Sequence, residues 1–271
     1  MKSIILIVII VLFIIIVIST IYSRIKLDIS RYNIKNKKID KNLKIVFLSD
    51  LHNRNIKEKI VKILEKEKPD LVIHGGDMVN ERLTETSNFI SLCDAIKDKQ
   101  IYVIGNHETA LEDDFNDYKK VINKMSIEYL FNNKKKLSNN IDLYGFVSDY
   151  ECYKKFHVLC LSKEYIEEKI GKLDNSKFNI LIAHNPLEFE SYVDYGADLV
   201  LSGHVHGGII TLPIFGALLS PDFTFFPKYW GGEYNKKKTK MIVSRGIGFS
   251  KRIPFRINNP GEIVIINLIK E

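Results

Sequence analysis

The sequence predicts an α/β domain carried behind one N-terminal transmembrane helix. Three observations predict it. The chain begins with an unbroken apolar run, short β-branched runs then alternate with segments of helical period, and polar clusters follow those runs directly. The chain has 271 residues, 45% hydrophobic and 27% charged. That composition suits one domain with a buried core and excludes a disordered chain or a polytopic membrane protein.

From Ile4 to Ile21 only Ser19 and Thr20 interrupt the apolar run, close to the ~20 residues a helix needs to cross a hydrocarbon layer. A cleaved signal peptide is the rival reading. Its apolar region runs to roughly 7–15 residues and ends in a small-x-small site, of which Ser19-Thr20-Ile21-Tyr22-Ser23 is a poor version. Residues 1–23 are therefore expected to be an uncleaved anchor.

The net charge of +7 would by itself invite a nucleic-acid partner. All of it resides in Lys2 and in the stretch where Arg24, Lys26, Arg31, Lys35, Lys37, Lys38, Lys41 and Lys44 face only Asp28 and Asp40. The remainder is formally neutral and lacks the basic track a polynucleotide backbone requires, so nucleic acid is disfavoured. Residues 24–42 read as a basic juxtamembrane linker able to rest on anionic headgroups. Only Lys2 precedes the apolar helix, an asymmetry that favours a cytoplasmic domain.

Residues 43–271 read as the catalytic domain, with no internal repeat, low-complexity tract or second domain. Lys44-Ile45-Val46-Phe47-Leu48 is a buried strand running into Ser49-Asp50-Leu51-His52. Ile56, Ile60, Ile63 and Leu64 mark one helix face, closed by Pro69, and Leu71-Val72-Ile73 is a second strand ending in His74-Gly75-Gly76-Asp77. This βαβ pattern repeats. Phe89, Leu92, Cys93 and Ile96 suit a helix, and Ile101–Ile104 a strand ending in Gly105-Asn106-His107-Glu108.

Phe178–Ile182 leads to Ala183-His184-Asn185-Pro186, and Leu199-Val200-Leu201 to Ser202-Gly203-His204-Val205-His206. In an open α/β sheet, loops leaving the carboxyl ends of strands converge. Ser138–Phe146, Met241–Val243 and Glu262–Leu268 read as further strands, placed in a second sheet. Cys93, Cys152 and Cys160 show no CxxC spacing, so buried structural thiols are expected rather than a disulfide framework. A Cys152–Cys160 pair would require export.

The polar clusters share one kind of chemistry. Asp50 and His52 stand close enough to grip one cation, Asp77 offers two oxygens that can bridge two ions, Asn106 offers an amide oxygen, and His184, His204 and His206 offer imidazoles. A set of N and O donors without thiolate suits two divalent ions such as Mn, Fe, Zn or Ni with positions open to water. Ions about 3.5–4 Å apart lower the pKa of a shared water and clamp phosphoryl oxygens. Any one of these residues alone is more often a turn or a solvated side chain; the ordered set after successive strands is what carries the reading.

Asp50-x-His52, Gly76-Asp77, Gly105-Asn106-His107-Glu108, His184 and Gly203-His204-x-His206 resemble, in order, the motifs of the calcineurin-like metallophosphoesterases. The likeness covers about Ile45–Leu268. Leu48–His52, Gly207-Gly208 and Val243–Gly248 look most like the bacterial membrane-associated phosphodiesterase branch. The resemblance implies a four-layer α/β/β/α sandwich of two mixed sheets flanked by helices. It implies that Asp50, His52 and His206 hold one ion and Asn106, His184 and His204 the other, bridged by Asp77. His107 would stabilise the phosphoryl group or protonate the leaving alkoxide. The chain departs from the branch at Asn53-Arg54-Asn55 and at His74, which bears on substrate preference.

The implied function is hydrolysis of a phosphodiester or phosphomonoester by in-line attack of a bimetal-bound hydroxide, on a lipid or envelope-derived substrate, with no protein partner implied. A nuclease or cyclic-nucleotide phosphodiesterase, and a non-catalytic metal-binding scaffold, are the alternatives. Arg54, Arg245 and Arg256 are candidate phosphate contacts or surface ion pairs. His74 reads as a core residue or as support behind the ligands, and His157 as surface or core. The cluster Phe223, Phe225, Phe226, Tyr229 and Trp230, with Pro221 and Pro227, reads equally as a lipid-facing loop or as packing of a long loop.

Overall fold

The computed structural model describes residues 1–80, 86–111, 115–153, 161–221, 223–249 and 255–271. Among them two six-stranded sheets pack together. The first has the order β1 (Leu27–Asn36), β14 (Gly261–Lys270), β2 (Leu43–Leu48), β3 (Leu71–Gly75), β4 (Gln100–Val103), β5 (Glu128–Tyr129). Its strands pair in parallel except where β14 meets β2. The second has the order β12 (Gly232–Lys236), β13 (Thr239–Val243), β9 (Leu199–Ser202), β8 (Phe178–Ala183), β7 (Ile141–Phe146), β6 (Asn133–Lys136), parallel through its middle and antiparallel at both edges. A separate hairpin joins β10 (Ile210–Leu212) to β11 (Gly216–Leu219).

Side-chain alternation in the second sheet reveals the layers. Leu143, Ile180, Ile182, Leu199, Leu201 and Ile242 share one apolar cluster with the first sheet and with α2 (Lys57–Glu67) and α3 (Ser87–Ala95). Their neighbours Tyr144, Leu181, Val200, Met241 and Val243 join a second cluster with α6 (Lys163–Ile170) and α7 (Phe189–Tyr195). Because successive strand residues point to opposite faces, the order is helix, sheet, sheet, helix, the four-layer α/β sandwich expected. α1 (Lys2–Ile25) precedes this body, and the short α4 (Asn106–Thr109) and α5 (Phe115–Ile122) follow β4.

Four expectations are corrected. Residues 24–42 are no simple linker: β1 occupies most of them and pairs along its whole length with β14. Its inward positions Ser30, Tyr32 and Ile34 alternate with exposed Ile29, Arg31, Asn33 and Lys35, so the basic residues that suggested a linker line the solvent face of an edge strand. Glu262–Leu268 lies in the first sheet, between β1 and β2, not in the second. Buried on both faces, it has no alternation to show which sheet it joins. The five polar clusters come from strand ends of two sheets instead of one. Cys93 is a buried free thiol, but Cys152 is disulfide-bonded; Cys160 lies outside the described residues.

Candidate metal centre

The loops after β2 and β3 remain zipped together beyond the last ladder pair. Asp50 N–H donates to Gly76 O at 2.9 Å, His52 N–H to Asp77 O at 3.0 Å and Asn53 N–H to Met78 O at 2.9 Å. To make these turns, Asp50, His52, Asp77, His204 and His206 adopt positive φ of 52°, 49°, 53°, 70° and 54°. Left-handed backbone at a non-glycine residue costs on the order of 1–3 kcal/mol and gathers at functional sites. Here it turns five of the seven candidate ligands inward. The packing leaves no room for larger neighbours: a Cβ at Gly105 would overlap Asp77 Oδ1, and one at Gly246, itself at φ +68°, would stand 2.6 Å from Asp50 Cβ.

The donor atoms face one another. His52 Nε2 lies 3.1 Å from His206 Nε2, His184 Nε2 lies 3.1 Å from Asp77 Oδ2, and His204 Nδ1 lies 2.8 Å from Asn106 Oδ1. Asp50 Oδ1 is 3.5 Å from His206 Nε2. Two ligands about 2.1 Å from one cation and at right angles to each other stand about 3 Å apart, which is the spacing here. Asp50 Oδ2 is buried without a hydrogen-bond partner, and His184 Nε2 is buried against the Asp77 and Asp50 carboxylates, an arrangement that calls for a cation or a proton between them. Three groups can each hold an ion: Asp50, His52 and His206; Asp77, His184 and His204; and His52, Asp77 and His107. The nitrogen and oxygen donors present therefore fit divalent metal ions.

Hydrogen bonds behind the ligands orient them. His184 Nδ1–H donates to Gly75 O at 2.7 Å, directing the Nε2 lone pair at Asp77, the usual way a protein fixes the tautomer of a ligand histidine. Asp50 Oδ1 accepts from His204 N–H at 3.0 Å, and Asp77 Oδ1 from His107 N–H at 2.9 Å. Burial would raise Asp77, but His184 and His107 beside it hold its carboxyl well below the usual range. Burial pushes Asp50 up to about 6 and lowers His52 to about 3 and His206 well below its ordinary value. Burial also opposes a charge on His184, yet Asp77 and Asp50 raise it to about 10. Without an ion, a proton on His184 balances the two carboxylates.

Comparison with known proteins fixes the family. The model for the calcineurin-like phosphoesterases matches residues 43–208. The chain belongs to that family. It is 33% identical over 241 residues to an uncharacterized metallophosphoesterase of Helicobacter pylori strain J99, covering 86% of this chain and 61% of that protein. The chain thus spans under two thirds of that relative's length. It is 26% identical over 239 residues to phosphodiesterase YaeI of Escherichia coli, covering 83% of this chain and 82% of that one. Among solved structures, a dimetal phosphatase from Danio rerio aligns with 75% of this chain and 87% of its own, at a TM-score of 0.40 and 9% identity.

Within the phosphoesterase site, Glu108 does more than sequence reasoning assigned it. Fully buried, its carboxylate accepts N–H groups from Asp77 (2.9 Å), Met78 (2.7 Å), Val79 (3.1 Å) and Gly105 (2.7 Å). It thereby clamps the β3 and β4 loops that carry Asp77, Asn106 and His107. The only signal for it in the sequence was its place three residues after Gly105, where an acid can cap the first turn of α4.

Tyr153 was also missed, because nothing in its local pattern marks it; its ring lies 5.2 Å from that of His204. His107, half-buried, stands with Nε2 3.8 Å from Asp77 Oδ2 and its ring 4.7 Å from that of His52.

The arginines divide by role. Arg256 is buried and donates to His206 Nδ1 at 2.9 Å and Gly248 O at 2.6 Å, so it positions a ligand rather than meeting solvent. Arg245 is held by Asp28 at 3.1 Å and Glu262 at 3.3 Å. Arg54 reaches Ile247 O at 2.7 Å and the carbonyl of Arg24. His74 is a core residue of β3, 3.0 Å from Gln100 Oε1 and edge-on to Phe89. His157 lies outside the described residues.

Proposed function

We propose that this phosphoesterase is a membrane-anchored phosphodiesterase in which Asp50, His52 and His206 hold one divalent ion, Asn106, His184 and His204 the other, and Asp77 both. The convergence of these nitrogen and oxygen donors, three pairs of them 2.8–3.1 Å apart, carries the reading. The two ions, when bound, supply Lewis acidity and an activated water. The chain supplies the rest. The zipped loops hold the ligands, Arg256 and the Gly75 carbonyl orient two rings, and His107 stands at the half-buried rim, where it can hand a proton to the leaving oxygen. A diester is favoured over a monoester by the likeness to the Escherichia coli phosphodiesterase YaeI, and over a polynucleotide by the neutral body.

The test is hydrolysis of bis-p-nitrophenyl phosphate and p-nitrophenyl phosphate by full-length protein reloaded with Mn²⁺. Metal-dependent turnover with preference for the diester is expected. His107→Asn should lower kcat about 10²- to 10⁴-fold while bound metal is unchanged. Full metal loading with no turnover on either ester would leave a metal-binding scaffold instead.

The anchor reading rests on how α1 ends. The helix offers 24 apolar-rich residues, and none of its apolar window is buried against the body. Its last turns, in contrast, belong to the domain: Ser23 is buried and accepts from Asn259 N–H at 3.0 Å, and Ser19 accepts from Asn258 N–H at 2.7 Å. A cleaved leader would remove these contacts, so retention is favoured.

The disulfide at Cys152 favours the oxidising, extracytoplasmic face. The cations that argued for the cytoplasmic face are partly used by the fold, Arg31 pairing with Glu67 at 2.7 Å and Lys38 with Asp198 at 3.0 Å. An alkaline phosphatase fused after Glu271 should therefore be active in cells, and an inactive fusion with a fluorescent cytoplasmic counterpart would reverse the assignment.

A further inference from the structure

The hairpin β10–β11 and the segment after it carry apolar side chains that the domain does not use. Ile214 is fully exposed at the hairpin tip, Phe215 is 75% exposed, and Phe223, Phe225 and Phe226 are each more than 60% exposed. Ile214 also adopts φ +71°, a costly conformation for a β-branched residue that buries nothing within the chain. Phe225 bridges Leu219, and Phe226 N–H donates to Leu218 O at 3.0 Å, so the aromatic segment runs back along β11 and forms one surface with the hairpin. An exposed apolar patch of this kind marks a contact with something outside the chain.

Its direction follows from hydrogen bonds to α1. Asn259 joins Ser23 at 3.0 Å to Gly208 O at 2.6 Å. Asn258 joins Ser19 at 2.7 Å to Thr211 O at 3.1 Å. Moving from Gly208 to Thr211 along the hairpin therefore runs beside α1 from Ser23 back to Ser19, toward its apolar turns. Four helical residues cover about 6 Å, and the three strand residues from Thr211 to Ile214 carry the tip up to about 10 Å further in the same direction. That carries Ile214 and Phe215 toward the level of the exposed, wholly apolar turn from Leu12 to Ile15.

At the opposite, domain-side end of this seam the groups are cationic. Lys59 Nζ donates to Ile25 O at 3.0 Å, Arg54 reaches the Arg24 carbonyl, and Arg24 and Arg54 stack on Phe249. Apolar groups at one level and cations one step above match the acyl region and the anionic headgroups of a bilayer.

We propose that the β10–β11 hairpin, with Phe223, Phe225 and Phe226, is a second membrane-insertion element that enters the same bilayer as α1 and seats the metal centre against the headgroups. The proposal rests on the reading of α1 as a retained span. The link to the site is short: Asn259 Nδ2 donates to His206 O at 2.7 Å while its own N–H meets Ser23, so one residue separates the anchor from a candidate ligand. A domain seated in this way draws its substrate from the membrane plane, and the reacting group is a phosphoester at headgroup height.

The experiment uses full-length protein in nanodiscs of phosphatidylcholine and phosphatidylglycerol, with and without acyl-brominated phosphatidylcholine. The chain has one tryptophan, Trp230, whose emission is the baseline. Phe215→Trp adds an indole at the tip, and Lys134→Trp adds one on the exposed edge strand β6. Brominated lipid is expected to quench the added emission of Phe215→Trp by about half or more, as for a ring inserted at the acyl boundary, and to leave that of Lys134→Trp unchanged. Unquenched emission from Phe215→Trp in nanodisc-incorporated protein overturns the proposal and points the patch at a protein partner. Loss of residues 1–23 by intact mass, or failure to incorporate, instead overturns the anchor reading on which it rests.

Discussion

Asp77→Ala should reduce kcat on a phosphodiester by about 10⁴-fold, as removing a central member of a catalytic unit does, and should lower bound metal from two ions per chain to one or none. The expectation follows from where the carboxylate stands. Asp77 is fully buried, its Oδ2 faces His184 at 3.1 Å and His107 at 3.8 Å, and it belongs to two of the three groups able to hold an ion. The described carboxylates beside it are already engaged: Asp50 accepts from His204 N–H and faces His206 and His184, and Glu108 accepts four backbone N–H groups. Two ions brought about 3.5–4 Å apart would then face each other without an intervening negative charge. Metal analysis of the purified variant together with hydrolysis of bis-p-nitrophenyl phosphate reads both effects. A variant that keeps two ions and near-normal turnover would remove Asp77 from the bridging position.

The site was more legible than the scaffold around it. Metal ligation needs particular side chains at particular strand ends, so Asp50, His52, Asp77, Asn106, His184, His204 and His206 stood out as an ordered set, and the structure brings all seven together. The strands bearing them were visible because each is a short apolar run ending in polar residues. β1 was hidden because its outward face is basic and its inward face mixes Ser30, Tyr32 and Ile34, a pattern that also describes a solvated linker. β14 was visible as a strand but not as a member of the first sheet, since sheet membership is decided by pairing across more than two hundred residues. Glu108 and Arg256 act through hydrogen bonds to backbone and to a ligand ring formed only on folding, so the local pattern offered Glu108 as no more than a cap of α4 and Arg256 as a phosphate contact or surface ion pair. The aromatic segment after β11 was legible as apolar and unusual; its direction along α1 came only from Asn258 and Asn259.

Binding of the divalent ions should strengthen about tenfold per pH unit between about pH 6.5 and 8, with about one proton released for each chain loaded. The proton comes from His184. Although burial opposes it, the Asp77 and Asp50 carboxylates raise this imidazole to about 10, so in the metal-free protein it is charged across this range and must lose its proton to offer Nε2. His52 and His206, lowered by burial, are already neutral and release none. Asp50, raised by burial to about 6, adds a second proton as the pH falls through 6, and the slope should steepen there.

The same shifts set the stability of the metal-free protein in the opposite direction. A histidine raised from 6.5 to about 10 contributes stability that is complete below pH 6.5 and is lost as the pH rises through 10. A carboxyl raised from 3.8 to about 6 likewise favours the folded state at low pH and costs stability once ionised. His52 and His206, lowered by burial, instead favour the folded state as the pH rises to about 7, so the decline set by His184 emerges above that: the metal-free protein should melt at progressively lower temperature from pH 7 to pH 9, while the Mn²⁺-loaded protein, in which these groups meet ions instead of protons, should not follow that decline. Calorimetric titration of Mn²⁺ in two buffers of different ionisation enthalpy counts the released protons. Binding independent of pH, with no proton released, would mean that His184 is neutral before the ions arrive and that the carboxylates are balanced in some other way.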